Sequence, residues 1–530
     1  GRLPASRHRL RGKPGGAMDP VVTSASLAAI VVTMILGVSA SGTFARFLSG
    51  ARNALSPVLQ WYYVLLVAFF LALVIWLGVG RYKNVRLGHD DERPEFRLFP
   101  WLSMLFAAGT GVGLLFWSIA EPVTHYLGNP YVAAGQTPEA AVAALRLTFF
   151  HWGLNGWAIF SIVGLLLGYF SYRKGLPLTV RSALYPLIGE RIFGFWGNAV
   201  DTFAVVATVF GITTTLGLGA RQMNSGMQAL FGTPVSNGTQ MVIVVVVTLL
   251  ATLSVVSGLR RGVRVLSEIN IYLSFLLLAY FLLFGPTNYL LALFVQASGD
   301  YLENLAAMSF FTDANGQGRW VSQWTVFYWG WWIAWSPFVG MFIARISRGR
   351  KFREYVMGVL LVPTLVTFVW VTVFGGTALH IELFGDGGIA GAVNQDVAQA
   401  LYVTIDAVGA PGVVALAAGV VATALIAIYF VTSADSGTLV ITTILSRGGS
   451  NPPIAFRIVW GLMVGVLTGI LLLAGGLPML QDSVVLAGVP FSVIMLVAVA
   501  GFLRALQYER FAPLTGRRAR RAREPWTGED

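Results

Sequence analysis

The chain has 530 residues, is 56% hydrophobic and only 11% charged, and contains no cysteine. Soluble domains carry about a quarter charged residues, so a water-soluble globular fold is excluded and a bilayer is implied. The 36 Lys and Arg exceed the 24 Asp and Glu to give a formal charge of +12, while the lack of Cys removes disulfides, thiolate-bound zinc and thiol catalysis.

A crossing helix needs about 20 mostly apolar residues. Twelve segments meet that length, at residues 21–45, 57–80, 100–123, 140–170, 195–220, 240–258, 265–285, 321–345, 354–376, 411–433, 454–476 and 483–504. The first follows a basic start but is longer than the apolar stretch of a cleavable signal, and reads as a retained helix. In this layout 31 of the 36 basic residues share one side, and only Arg46, Arg52, Arg146, Arg221 and Arg319 fall on the other. Cytoplasmic loops hold the basic residues, which puts both termini in the cytoplasm and explains the net charge without nucleic acid. The expected organisation is a basic tail (1–17), a twelve-helix domain (18–508) and a short basic tail (509–530).

Several segments break the rules of a lipid-embedded helix. The third contains Gly109-Thr110-Gly111-Val112-Gly113. Unwinding there would expose amides and carbonyls able to hold an anion or a small cation; close packing of small residues explains the glycines equally well. The fourth contains His151, Trp152, Trp157 and Phe160. The segment at 286–320 predicts an amphipathic helix over Tyr289–Met308 along the external surface, and the eighth runs Trp324-Thr325-Val326-Phe327-Tyr328-Trp329-Gly330-Trp331-Trp332-Ile333-Ala334-Trp335-Ser336-Pro337-Phe338. Trp331, Trp332 and Trp335 share one helical face, and Pro337, which cannot donate to the carbonyl of Ile333, predicts a loosened helix beside it. Residues 376–410 form a Gly-rich acidic connection with Glu382, Asp386 and Asp396, and Thr432-Ser433-Ala434-Asp435-Ser436 ends the tenth segment.

Aromatic faces grouped around one point suit a quaternary ammonium, each contributing about 0.5–2 kcal/mol when desolvated; plain aromatic packing is the alternative for any single ring. Oxygen ligands at 432–436 suit a hard cation such as sodium, although Ser and Thr also bond their own helix carbonyls. The five histidines are scattered without metal-ligand spacing, and no phosphate-binding Gly-rich Lys-Ser/Thr loop is present for ATP. Gly37-Val38-Ser39-Ala40 offers only a short serine-hydrolase match with no paired His on another segment. A channel or sensor with the same cage is a further alternative to a carrier.

The stretches WTVFYWGWWIAWSPFVGMFIARISRGR (Trp324 to Arg350), GTGVGLLFWSIAEPVTHY (Gly109 to Tyr126), FHWGLNGWAIF (Phe150 to Phe160) and TSADSG (Thr432 to Gly437) resemble, in order, the motifs of the betaine/carnitine/choline transporters. The resemblance covers residues 18 to 508. It implies an all-α membrane protein of twelve helices, with helices 3–7 and 8–12 as LeuT-like inverted repeats, opened at the glycine stretch and at Trp-Ser-Pro. It implies a cage of Trp157, Phe160, Trp332 and Trp335, with Trp152 and Trp331 nearby and a substrate carboxylate facing Gly109, Gly111 and Gly113. Phe160 stands where a betaine carrier of the family has tyrosine. Gly113 stands where proton-coupled choline carriers tend to have Asp, which argues against choline.

The same resemblance implies one sodium site from the backbone of Ala107, Thr110 and Tyr429 with the hydroxyls of Thr432 and Ser433. A second would use Thr208 and Phe338, but its partner position is Ile212, which has no side-chain oxygen, and the adjacent Thr213 points about 100° away. Sodium is thus the expected coupling ion, no other cofactor is expected, and the activity expected is sodium-driven import of glycine betaine, with ectoine, dimethylsulfoniopropionate, carnitine or choline as alternative solutes and an exchanger without net sodium coupling as the alternative mode. A homotrimer is implied, and the run Arg517 to Arg523 could dock on anionic lipid, as tails that sense osmotic stress do.

Overall fold

The computed structural model describes residues 18–509, apart from 258 and 450, and the side chains of 259–264 are not described. The basic N-terminal tail, the side chains of Arg260, Arg261 and Arg264, and the arginine run at 517–523 therefore lie outside the described residues.

The fold is helical throughout. The helices of eleven or more residues, in chain order, are α1 (Pro20–Ser39), α2 (Ser41–Val79), α3 (Leu98–Ala108), α4 (Val112–Leu127), α5 (Pro138–Trp152), α6 (Leu154–Gly168) and α7 (Phe195–Phe231). They continue with α8 (Asn237–Val256), α9 (Leu259–Phe284), α10 (Thr287–Ser309), α11 (Thr325–Ile346), α12 (Phe352–Phe384), α13 (Gly412–Leu445) and α14 (Ile454–Leu506). Among the described residues, nine helical stretches are long and apolar enough to cross a membrane, with Pro138–Arg173 (α5, α6 and the turn after them) counted as one, and ten if the bent pair α3–α4 also counts as one. Val242, Val245, Val246, Leu249, Leu250 and Leu253 make an exposed apolar face on α8, an aggregation hazard in water and an ordinary lipid face in a bilayer. The protein is a multi-pass membrane protein.

Helices cover all the predicted segments, but their limits differ. The eleventh and twelfth segments lie in one 53-residue helix, α14, which breaks at Gly476 with φ 64° and ψ −146°. A straight helix of that length would reach about 80 Å, well over the roughly 30 Å of hydrocarbon; only glycine takes this backbone conformation cheaply. The amphipathic stretch forms α10, two residues longer than predicted at its start and one at its end, burying Leu290, Leu293, Ala297 and Tyr301. The acidic connection is not plain loop: α12 runs on to Phe384, short helices follow at Ile389–Gln395 and Ala400–Ala407, and Glu382 caps the first by accepting from the amides of Ile389 and Ala390.

Two expectations about broken helices are corrected. Pro337 does not open the eighth segment: α11 is a continuous helix through it. The carbonyl of Ile333, deprived of a backbone donor, accepts instead from the hydroxyl of Ser336 at 2.7 Å, so the residue before the proline repairs the missing bond. The fourth segment, expected whole, breaks at Gly153 into α5 and α6. Three distant side chains satisfy the freed groups there: Trp332 Nε1 donates to the carbonyl of His151 (2.9 Å), Thr367 Oγ1 to that of Trp152 (3.1 Å), and the amide of Leu154 donates to the Tyr301 hydroxyl (3.2 Å). The third segment breaks as the glycines predict, with α3 and α4 meeting at 57°.

Three arginines predicted on the external side are each paired: Arg52 with Asp482 (2.9 Å), Arg146 with Asp300 (2.9 Å) and Arg221 with Asp396 (3.3 Å). The three acids come from α14 just before the twelfth segment, from α10 and from the acidic connection, so these pairs tie distant parts of the chain together.

Candidate functional site

A cavity of about 370 Å³ opens where the α3–α4 break, the Gly153 break and α11 meet. Its volume suits a small organic solute. Gly109, Gly111 and Gly113, Trp152, Trp157, Phe160, Trp331, Trp332 and Trp335 all line it. Phe160 stands 5.1 Å from Trp157 and 5.7 Å from Trp332, both edge-to-face; Trp332 meets Trp152 at 4.8 Å and stacks on Trp331 at 4.5 Å, and Trp335 lies 4.6 Å from Phe338. These rings are packed against one another along one wall, and none of Trp152, Trp157, Phe160, Trp331 and Trp332 is more than 8% exposed. The Trp332 indole is fixed by its bond to the His151 carbonyl, the Trp152 indole by a 3.0 Å bond to Glu121 Oε1.

Beside the rings the lining is backbone, from Gly109 to Gly113. At the break Gly111 is extended (φ 169°), which any residue adopts, and a Cβ there would meet nothing within 4 Å. Gly113 is different: a Cβ would fall 2.6 Å from Trp331 Cη2, so glycine is required for the ring to approach the start of α4. That helix start, with its unpaired amides, presents partial positive charge to the cavity.

Of the candidate cation ligands, Ala107, Thr110, Tyr429, Thr432, Ser433 and Phe338 line the cavity, and Thr208 does not. Thr432 donates to the carbonyls of Ile428 (3.0 Å) and Tyr429 (3.2 Å), and Thr110 to that of Ala107 (2.9 Å), which leaves hydroxyl lone pairs available to an ion. Thr208 bonds its own helix at Ala204, the Ile212 side chain packs on Gly437, and the buried Thr213 hydroxyl makes no hydrogen bond among the described residues. The first set thus brings its oxygens to one cavity lining, whereas Thr208 of the second lies away from it. Asp435 is no ligand: it pairs with Arg457 at 2.9 Å and is absent from the lining.

Other lining residues lie outside the predicted site set, although Arg345 falls within the stretch Trp324 to Arg350. Trp370 on α12, Asn270 and Ser274 on α9 and Arg345 near the end of α11 all reach the cavity. The only sequence hint was polar or aromatic side chains inside otherwise apolar segments. The reading of the histidines as scattered is corrected too: His125 and His151 come together with Glu121, their ligand atoms within 4.8 Å of one another and all three buried. Ser39 of the hydrolase-like match bonds its own helix at the Ile35 carbonyl.

A helical membrane protein with a central solute-sized cavity lined by aromatic rings and unwound backbone belongs to the class of small-molecule transporters. The chain belongs to the BCCT, betaine/carnitine/choline family transporters, whose family model matches residues 21–511. It is 39% identical over 486 residues to the "Glycine betaine transporter OpuD" of Bacillus subtilis (strain 168), covering 91% of this chain and 94% of that one. It is 41% identical over 518 residues to the "Osmo-independent choline transporter BetT1" of Acinetobacter baylyi, covering 96% and 97%. The "Glycine betaine transporter" of the same organism is 40% identical over 494 residues, covering 93% and 74%. The protein is a transporter and not an enzyme.

Proposed function

We propose that the protein imports a zwitterionic quaternary-ammonium solute, glycine betaine first, by sodium-coupled alternating access. The observation that carries this reading is the presence of two kinds of lining in one cavity: indole and phenyl faces for the methylated cation, and the amide-rich start of α4 for the carboxylate. Two relatives named for glycine betaine support it. Sodium is assigned to the oxygens of Ala107, Thr110, Tyr429, Thr432 and Ser433, with one ion the better fit because Ile212 lacks an oxygen. Twelve crossings in a LeuT-like inverted repeat, cytoplasmic termini, α10 along the outer surface, a homotrimer and an arginine-rich tail at anionic lipid belong to the same proposal.

Choline is the second reading, favoured by the choline-transporter relative of 41% identity. Against it, an aspartate at position 113 has no room beside Trp331, so this wall offers choline no countercharge. Uptake of labelled glycine betaine into proteoliposomes, with and without an imposed sodium gradient and competed by choline, ectoine and carnitine, decides among these. Accumulation that ignores the gradient removes the coupling; stronger competition by choline than by unlabelled betaine reverses the substrate order.

A further inference from the structure

Behind the aromatic wall lies a polar cluster that the transport reading leaves unused. Glu121 on α4 accepts from His151 of α5 at Nδ1 (2.6 Å), from His125, one turn along its own helix, at Nε2 (3.0 Å), and from Trp152 Nε1 (3.0 Å). His151 Nε2 faces the Thr325 hydroxyl of α11 at 2.9 Å, and His125 Nδ1 makes no hydrogen bond among the described residues. Glu121, His125 and His151 are all 0% exposed.

Two ligands could hold such a set together, a metal ion or a proton. Nitrogens and oxygens bound at about 2.0–2.1 Å to a tetrahedral zinc lie roughly 3.3 Å apart. The contacts of 2.6 and 3.0 Å are shorter, and are the distances of charge-assisted hydrogen bonds. Among the described residues the ion pairs of Glu121 are with these histidines alone. The other groups nearby do not neutralise it: Tyr328 of α11 stacks on His151 at 4.7 Å, Arg146 of α5 is paired with Asp300, and Arg319 is exposed. With both imidazoles neutral the cluster would bury a bare negative charge, which proteins avoid by taking up a proton.

We propose that Glu121, His125 and His151 form a proton-binding site coupled to the cavity through Trp152. The proton sits between Glu121 Oε2 and His151 Nδ1, and the Thr325 hydroxyl, able to donate or accept, suits His151 in either state. Trp152 donates to Oε1 of the same carboxylate while its ring lines the cavity, and His151 itself reaches that lining. A cation seated before Trp152 is one indole away from the carboxylate. It favours the negative, deprotonated cluster, and the proton is released to solvent. No bond other than this N–H or O–H changes. Substrate binding therefore weakens as pH falls, by at most about tenfold per pH unit for one proton. This coupling rests on the proposed binding of a quaternary ammonium; the existence of the proton site does not.

The test uses the full-length protein in detergent at low buffering, with Trp fluorescence reporting binding and a pH dye reporting protons. Adding glycine betaine, and separately choline, is expected to release up to one proton per bound solute. Glu121→Gln, which retains an acceptor for Trp152, is expected to bind with no release and a flat pH dependence; His151→Gln is the second variant should the first fold poorly. Binding without proton release in the unaltered protein, or equal release in both variants, overturns the coupling. Histidine-labelled 15N NMR without solute tests the site by itself. An N–H signal of a proton shared between a histidine ring nitrogen and a carboxylate, lost in Glu121→Gln, is expected; its absence from the unaltered protein overturns the proposal. If neither solute binds while that signal is present, the transport reading fails and the proton site stands.

Discussion

Trp332→Ala is the sharpest probe of the cavity. The ring contacts Phe160 at 5.7 Å and Trp152 at 4.8 Å and stacks on Trp331 at 4.5 Å, so it sits at the centre of the aromatic wall. Its removal takes away one cation–π face, about 1–2 kcal/mol in a desolvated site. At 1.4 kcal/mol per tenfold this is a rise of about 5–30-fold in the apparent constant for glycine betaine. The lost bond to the His151 carbonyl also loosens the Gly153 break. Trp332→Phe separates the two effects, because it keeps an aromatic face and loses only the donor; its rise should be the smaller. The assay is initial-rate uptake at saturating sodium, normalised to the amount of protein in the membrane. An unchanged constant in a normally inserted Trp332→Ala would refute the cage.

Three further outcomes are expected. Thr432→Ala combined with Ser433→Ala should shift the sodium dependence of uptake to higher concentration while betaine binding at saturating sodium changes little; superimposable sodium curves would remove that site. Ser336→Ala leaves the Ile333 carbonyl with no donor and should lower stability by about 1–3 kcal/mol, read as a fall in thermal midpoint in detergent, with an unchanged midpoint counting against the repair at Pro337. In the connection between α2 and α3, burial pushes the Glu92 carboxyl up, but its hydrogen bond and ion pair with Arg348 and the amide of His89 outweigh this and hold it below its ordinary value. A carboxyl lowered on folding stabilises above its unfolded value, near 4.5, and loses that contribution as pH falls. Hydrogen exchange across residues 80–97 should therefore rise in acid, and Glu92→Gln should show the raised exchange at neutral pH already.

The cavity was legible in the sequence where its residues are local. Three glycines at alternate positions break the third segment because no side chain there holds the helix together, and the indoles at 331, 332 and 335 fall on one face by helical spacing alone. What stayed hidden depends on residues far apart in the chain. The proline at 337 looks like a break until Ser336 is seen donating to Ile333. Gly153 looks like an ordinary helical residue until Tyr301, Thr367 and Trp332 are seen taking up the backbone groups freed at Leu154, Trp152 and His151. Glu121 and His151 are thirty residues apart, so no spacing rule links them; α4 and α5 must pack first. Trp370, Asn270, Ser274 and Arg345 enter the lining for the same reason.

The Ser336 bond changes what bending α11 would require. A bend elsewhere in the helix ruptures backbone bonds, whereas here a rotamer change of one hydroxyl releases the carbonyl that the proline already left without a donor. Trp332 and Trp335 precede this point and Phe338 follows it, all three on the cavity. A hinge at Ser336 would thus swing one part of the aromatic wall against the other, so that the shape of the chamber and the straightness of the helix are governed by the same single torsion.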